Sequence, residues 1–404
     1  MLGAVTTKGG RYVQGGGCLT VGVAGLIQGG GFGSFSKAYG MAAASLLEAE
    51  IVTADGTVRI ANACTNPDLF WAIKGGGGGS FGVVTRLTLR THPLPEFFGA
   101  VFTTIQATSE GAFRRLIGKV IEFYREALFN PHWGEQIGFR PGNVLVVAMV
   151  FQGLNQQQAE TTWRPFFEWL AASPQDFSIA SKPLILAGPA RHFWDPESLK
   201  KVPGLLLADD RPGAPETNVF WANNLQEAGQ VLYGYQSAWI PASFVQTDQQ
   251  DHLADALFAA ARHWGVTLHV NKGLAGAPAE AIAAARDTAM NPAVLDAFAL
   301  LISGAEGPPA YPGIPGHEPD LPAARRRAAA IEEAMGEVRK LVPNAGSYVA
   351  EGNFFGETWR ESFWGSNYAR LLAVKDKYDP DGLFFVHHGV GSERWSTDGF
   401  TRLT

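Results

Sequence analysis

The chain has 404 residues, with 32 Lys and Arg against 38 Asp and Glu and a formal net charge of −6, so no basic excess exists to neutralise nucleic-acid phosphates. Hydrophobic residues make up 46% and charged residues 17%, which excludes global disorder; the length exceeds what one core usually holds, so two domains or one large composite are expected. The longest strongly apolar run, VLVVAMVF at 144–151, is far short of the roughly 20 residues that cross a bilayer, and no membrane partner is expected.

The first residues, MLGAVTTKGGRYVQGGG, lack the apolar core and small-residue cleavage site of a signal peptide. Nothing in them directs export, and localisation stays open. Cys18 and Cys64 belong to no CxxC or Cys/His cluster, so a zinc site has no support. Glycine numbers 48, about 12% of the chain where about 7% is usual. Twenty of these fall within the first 82 residues, clustered at 15–33 and 75–82.

Between the clusters, EAEIVTADGTVRIAN alternates apolar and polar residues around Asp55-Gly56 and predicts a β-hairpin. FGVVTRLTLRTHPLP predicts a strand with Val83, Thr85, Leu87 and Leu89 on one face, stopped by Pro93 and Pro95, with a domain boundary near residue 95. From Ser109-Glu110 the spacing of Phe113, Leu116, Ile117, Val120, Ile121 and Tyr124 predicts a helix. EQIGFRP and VLVVAMVF, joined by Pro141-Gly142-Asn143, predict a second hairpin, and NQQQAETTWRPFFEWLAA another helix. Strand pairs alternating with helices suggest an antiparallel sheet covered on one side.

The segment from PARHFWDPESLK to DDRPGAPETN is rich in Pro, Asp and Asn and reads as loop. A helix at about 248–264, a strand VTLHVNK, and a loop GAEGPPAYPGIPGHEPD follow, while AVLDAFALLIS is open between helix and buried strand. The closing helices are PAARRRAAAIEEAMGEVRKL, whose Arg325-Arg326-Arg327 run reads as a solvated face, and TWRESFWGSNYARLLAVKDKY, stopped by Asp379-Pro380.

The glycine run from Gly15 to Gly25 has spacings that a dinucleotide fingerprint accepts, but more glycines and a hairpin follow it, not a helix and an acidic residue, so NAD binding is rejected. GGGGGSFG is no P-loop, because Lys74 precedes the glycines. What both clusters share is backbone that can approach a flat or anionic ligand. Adjacent His387 and His388 on a strand would point to opposite faces with no third ligand, so no metal is expected.

Three stretches carry a resemblance. GGGCLTVGVAGLIQGGGFGSFSKAYGMAAASLLEAEIVTADG and NPDLFWAIKGGGGGSFGVVTRLTLR resemble the second half of a PCMH-type FAD-binding domain. WGSNYARLLAVKDKYDPDGLFFVHHGVG resembles the closing segment of berberine bridge enzyme-like oxidoreductases of the vanillyl-alcohol oxidase superfamily. The fold class this implies is α+β: the C-terminal part of a PCMH-type FAD-binding domain (1–95), an antiparallel-sheet substrate domain covered by helices (96–345), and a berberine-bridge-type segment (346–404) packing back on the first.

The resemblance implies FAD as cofactor, with a thioether to the flavin at Cys18. Val21, Gly22 and Gly25 would contact the isoalloxazine and ribityl chain; Gly29, Gly30, Gly82 and Val84 would line the rest. Asn367 and Tyr368 would touch the flavin or its pocket, and His388 would hydrogen-bond it. Leu19 and Leu26 depart from a common proline and a frequent histidine. The family's pyrophosphate loop and second covalent anchor have no counterpart, so the expectation is a chain without the N-terminal half of the FAD domain.

By the same resemblance the reaction is oxidation of a hydroxylated small molecule, a sugar or secondary metabolite, with hydride transfer to flavin and dioxygen as acceptor. Gly346 to Glu351 matches the strand that carries the family's acid/base groups, and Tyr348 is the first candidate. Glu351, where relatives often have tyrosine, is the other, because a carboxylate in an apolar pocket gains the raised pKa that suits a base. Ala350 stands where asparagine is common. Trp221, Tyr233, Tyr235 and Trp239 are candidate stacking surfaces. A fragment that does not retain flavin, and a dehydrogenase using another acceptor, remain as alternatives; substrate identity and oligomeric state stay open.

Overall fold

The computed structural model describes residues 3–15, 21–227 and 229–403. Cys18 therefore lies outside the described residues. A short helix α1 (Val23–Gln28) opens at Gly22, an element not expected from the sequence, where glycines hide the helical spacing. Strands β1 (Leu46–Val52) and β2 (Val58–Asn62) form the hairpin read from Asp55-Gly56. Asp55 accepts from Thr53 Oγ1 at 2.7 Å and from the Thr57 N–H at 3.1 Å, while Gly56 takes a φ of 74° that a side chain would oppose. Helix α2 (Pro67–Ile73) and β3 (Val83–Leu89) follow, and β1 lies central in the order β2-β1-β3.

The face assigned to β3 needs correction. A register shift falls where Ile51 pairs with Val84 and Glu50 with Arg86, leaving Thr85 unpaired. This bulge inverts the alternation, so Val84, Leu87 and Leu89 pack on the core while Val83 and Thr85 face outward.

A seven-stranded antiparallel sheet follows: β4 (Phe97–Ala107), β5 (Trp133–Arg140), β6 (Val144–Gln152), β7 (Phe177–Pro189), β8 (Gln230–Pro241), β9 (Val266–Val270) and β10 (Ala297–Pro309), in the order β8-β10-β9-β5-β6-β4-β7. The undecided AVLDAFALLIS is thus strand, and β10 runs on into the expected loop as far as Pro309. Helices α3 (Glu110–Phe123), α4 (Gln156–Ala171), α5 (Gln250–His263) and α6 (Leu321–Leu341) bury their apolar stripes on one sheet face. Ser109 caps α3 by accepting from the Ala112 N–H, and Asn155 with Gln158 closes a capping box on α4. Inward residues such as Ile137, Val147, Leu268 and Leu301 alternate with outward ones. The opposite face consequently presents Gln136, Thr267, His269, Ile302 and Tyr235 in register. No described helix is long and apolar enough to cross a membrane.

The C-terminal segment differs from expectation in three places. TWRESFWGSNYARLLAVKDKY is two helices, α7 (Trp359–Trp364) and α8 (Tyr368–Tyr378), because Gly365 adopts φ 53° between them. Gly346–Glu351 is extended chain ending in a 3₁₀ turn, held to β8 by the Trp239 N–H donating to the Gly346 carbonyl at 2.8 Å. His387 and His388 sit on a turn with His388 at φ 57°, so their rings do not diverge; they stack with centroids 3.8 Å apart. Both helices share a core with α2 and β1, through Trp364, Leu371, Trp71 and Ile51.

Candidate functional site

The tertiary fold joins the two glycine clusters: the Gly77 N–H donates to the Gln28 carbonyl at 2.8 Å. Gly30 (φ 100°) and Gly75 (φ 105°) both back onto Met290, whose side chain an added Cβ would meet at 2.7 and 2.4 Å. Around Gly22, Gly25 and Gly78 an added Cβ would meet nothing within 4 Å. Within this cradle Gln28 Oε1 and Ser80 Oγ are buried with no hydrogen-bond partner among the described residues. Buried acceptors left open cost roughly 1–3 kcal/mol each, and an open glycine backbone beside them fits a flat polar cofactor. The residues present thus fit a flavin.

The other expected flavin contacts are placed as follows. Val21 is exposed, and Gly29 abuts the Tyr348 hydroxyl. Gly82 and Val84 lie on the small sheet, where a Cβ on Gly82 would stand 2.4 Å from the Val52 carbonyl, a packing reason for glycine. Asn367 Nδ2 donates to the Met290 carbonyl at 2.7 Å and ties the C-terminal segment to the cradle, while the Tyr368 hydroxyl donates to Glu393 at 2.5 Å within that segment. The His388 ring stacks on Trp359 at 5.3 Å and is pushed down to about 4 by burial and by His387, hence neutral near pH 7.

Tyr348 and Glu351 come together beside this cradle. Tyr348 is buried, its ring 4.9 Å from that of Phe32, and its N–H donates to Ser237 Oγ at 3.1 Å. Burial, then the nearby Glu351, push its hydroxyl well above the ordinary value, opposed by the Gly31 N–H. Glu351 Oε2 is buried with no partner among the described residues. Burial raises this carboxyl to about 7, with Lys272 pulling down and Glu135 pushing up.

Sequence reasoning missed the charged floor below them. Lys272 Nζ pairs with Glu135 Oε1 at 2.6 Å, with the Lys272 side chain 1% exposed, and Ser34 donates to the same oxygen. Burial pushes Glu135 up, but Lys272, His269 and the two hydrogen bonds outweigh it and hold the carboxylate below its usual range. His269 is lowered to about 3 by burial and by Lys272. Phe32 lies over this group, 4.8 Å from Lys272 Nζ and 6.1 Å from the His269 ring. Glu135, near the start of β5, is held at φ 77°, a mark that the structure shows and the sequence does not.

A cleft of about 1170 Å³ opens above Glu351, lined by Tyr233, Tyr235, Phe354, Phe355 and His388. Phe354 and Phe355 are 62% and 74% exposed at its mouth. Of the candidate stacking residues, Tyr233 and Tyr235 reach the cleft, Trp239 is buried in the core under Tyr348, and Trp221 lies half-buried on a short strand, 219–221. Among the described residues no group of His, Cys, Asp and Glu could hold a metal.

Comparison with known proteins bears on the family and the fold. The family model for berberine and berberine-like proteins matches residues 347–391. A VAO-type flavoprotein oxidase of Thermothelomyces thermophilus is 30% identical over 99% of this chain and 63% of its own length. An FAD-linked oxidoreductase of Arthroderma benhamiae is 30% identical over 98% of this chain and 73% of its own. The crystal structure of a VAO-type flavoprotein from Myceliophthora thermophila superposes with a TM-score of 0.72 at 27% identity, over 97% of this chain and 65% of that one. The chain spans 60–63% of the length of several of the curated relatives it matches.

Proposed function

We propose that this chain, which belongs to the berberine bridge enzyme-like, VAO-type FAD-linked oxidoreductases, carries the substrate side of an oxidase acting on a hydroxylated small molecule. The observation that carries the reading is Glu351: a carboxylate oxygen buried at the floor of a cleft, unpaired, and poised to ionise at about pH 7. Such a group accepts a hydroxyl proton as the carbon beneath it loses hydride. FAD, when bound, supplies the hydride acceptor, which dioxygen reoxidises with release of peroxide.

The chain's own residues divide the remaining work. Tyr348, held protonated, donates a hydrogen bond to substrate oxygen and stands over Gly29. Lys272 and Glu135 hold the floor rigid and set the field at Glu351. Gln28, Ser80 and the open glycines would hold the flavin. A thioether at Cys18 is part of the proposal.

The test is the visible spectrum of the chain incubated with FAD and freed of excess, followed by acid precipitation and anaerobic titration with a panel of alcohols. Flavin bleaching, recovered in air with peroxide, supports the oxidase. Bleaching without peroxide assigns another acceptor, and a protein that returns colourless would refute the reading for this chain.

A further inference from the structure

A second cavity, of about 500 Å³, lies on the face of the large sheet opposite helices α3–α6, lined by Arg140, Gln136, His269, Trp264, Tyr235 and Glu306 among others. Tyr235 lines both this cavity and the main cleft, so the two adjoin at its side chain. Arg140 ends β5 and lies flat over the backbone of its neighbours. An added Cβ would stand 3.0 Å from its Nη2 at Gly138 and 2.9 Å from its Cδ at Gly265. Glycine at both positions gives the guanidinium its bed.

Among the described residues Arg140 makes one hydrogen bond, from Nη1 to the Val266 carbonyl at 3.2 Å, and no ion pair. Its remaining N–H donors have no partner among the described residues, and Arg140 lines the cavity. Burial lowers its pKa, yet a guanidinium stays charged at neutral pH. The charged and titratable groups around it are few. His269 on β9 is neutral, and Glu306 on β10 lines the cavity from an exposed position outside ion-pair distance. A half-buried cation without a counter-ion, in a chain of net charge −6, is unusual, because desolvating it is costly unless something pairs it. The planar fork of a guanidinium matches a carboxylate. Trp264, fixed by donating to the Gly304 carbonyl at 2.9 Å, supplies an aromatic wall.

We propose that this cavity is the far subsite of the substrate cleft, and that Arg140 binds a carboxylate carried by the substrate. This rests on the oxidase reading above. Gln136 and Arg140 both line the cavity four residues apart along β5, roughly 13 Å, so the substrate would be an elongated molecule of two or more rings with its acid at the Arg140 end.

The test is calorimetric titration of the full chain, incubated with FAD, with indole-3-acetate and with its neutral isostere indole-3-acetamide at pH 7. The acid is expected to bind roughly tenfold to hundredfold more tightly than the amide. Arg140→Met, which keeps bulk between the two glycines, should bring the acid down to the affinity of the amide, and Arg140→Lys should keep part of the preference. Should Arg140→Met fail to fold, Glu306→Gln carries the test, since removing the like charge should tighten the acid alone. Equal binding of acid and amide by the unaltered chain, a preference that survives Arg140→Met, or no response to Glu306→Gln would overturn the proposal. Binding is read without turnover, so failure here leaves the flavin-bleaching result standing, and the reverse holds.

Discussion

Ser34 and Glu135, 101 residues apart, meet through a hydrogen bond on the carboxylate oxygen that also binds Lys272, so a turn of the glycine-rich half is tied to the first strand pair of the large sheet directly under Glu351. The pair is buried, and its attraction must offset the desolvation of two charges. Lys272→Met leaves Glu135 charged and alone, and about 3–5 kcal/mol of stability should be lost. The double variant Lys272→Met/Glu135→Gln should recover most of it. Denaturant unfolding of these two, Glu135→Gln alone and the unaltered chain gives the coupling; additive losses would show that the two do not act as a pair.

Glu351 makes stability depend on pH. Its folded value of about 7 lies above the ordinary 4.5, so the folded chain keeps a proton there that the unfolded chain has released. This contribution is fully present below about pH 4.5 and is lost as pH rises to about 7, on the order of 3 kcal/mol. Glu351→Gln should melt higher than the unaltered protein at pH 8 and no higher at pH 4, as differential scanning calorimetry would report. A constant difference across that range would contradict the shifted carboxyl.

As a base Glu351 must be ionised, so the rate of flavin bleaching by substrate should rise with pH through about 7. Glu351→Gln should lower it by roughly 10²–10⁴-fold and remove the pH dependence. Stopped-flow reduction in the absence of oxygen measures both. Tyr348→Phe should lower the rate less, about tenfold, and leave the pH profile in place, since a hydroxyl held well above its ordinary value does not titrate there.

Gly82 is held at φ 152° against the Val52 carbonyl. Gly82→Ala should cost about 1–3 kcal/mol through backbone strain and displacement of β1. Gly78→Ala, which meets nothing within 4 Å, should leave the flavin-free protein as stable as before and weaken FAD retention. Thermal melts with and without FAD separate the two effects.

Local chemistry made much of the chain legible from sequence alone. The Asp55-Gly56 hairpin, the Ser109 and Asn155 caps and the Pro141-Gly142-Asn143 turn are decided by side chains within four residues of the backbone they satisfy. The neighbourhood of Tyr348 and Glu351 could be read for the same reason, since both lie in one short stretch with a family pattern. Where a neighbour distant in sequence intervened, the reading failed. The face of β3 inverted because its bulge is set by pairing with β1; the closing helix broke because Gly365 turns Trp364 into a core shared with Trp71. Ser34, Glu135, His269 and Lys272 carry no local mark of function, and only the crossing of β5 and β9 under the glycine turn gathers their charges below Glu351. Sequence by itself determined most of the elements and the family, and brought Tyr348 and Glu351 forward as candidates. Tertiary structure alone decided their field, because burial and Coulomb energy depend on distance in space, which chain order does not specify.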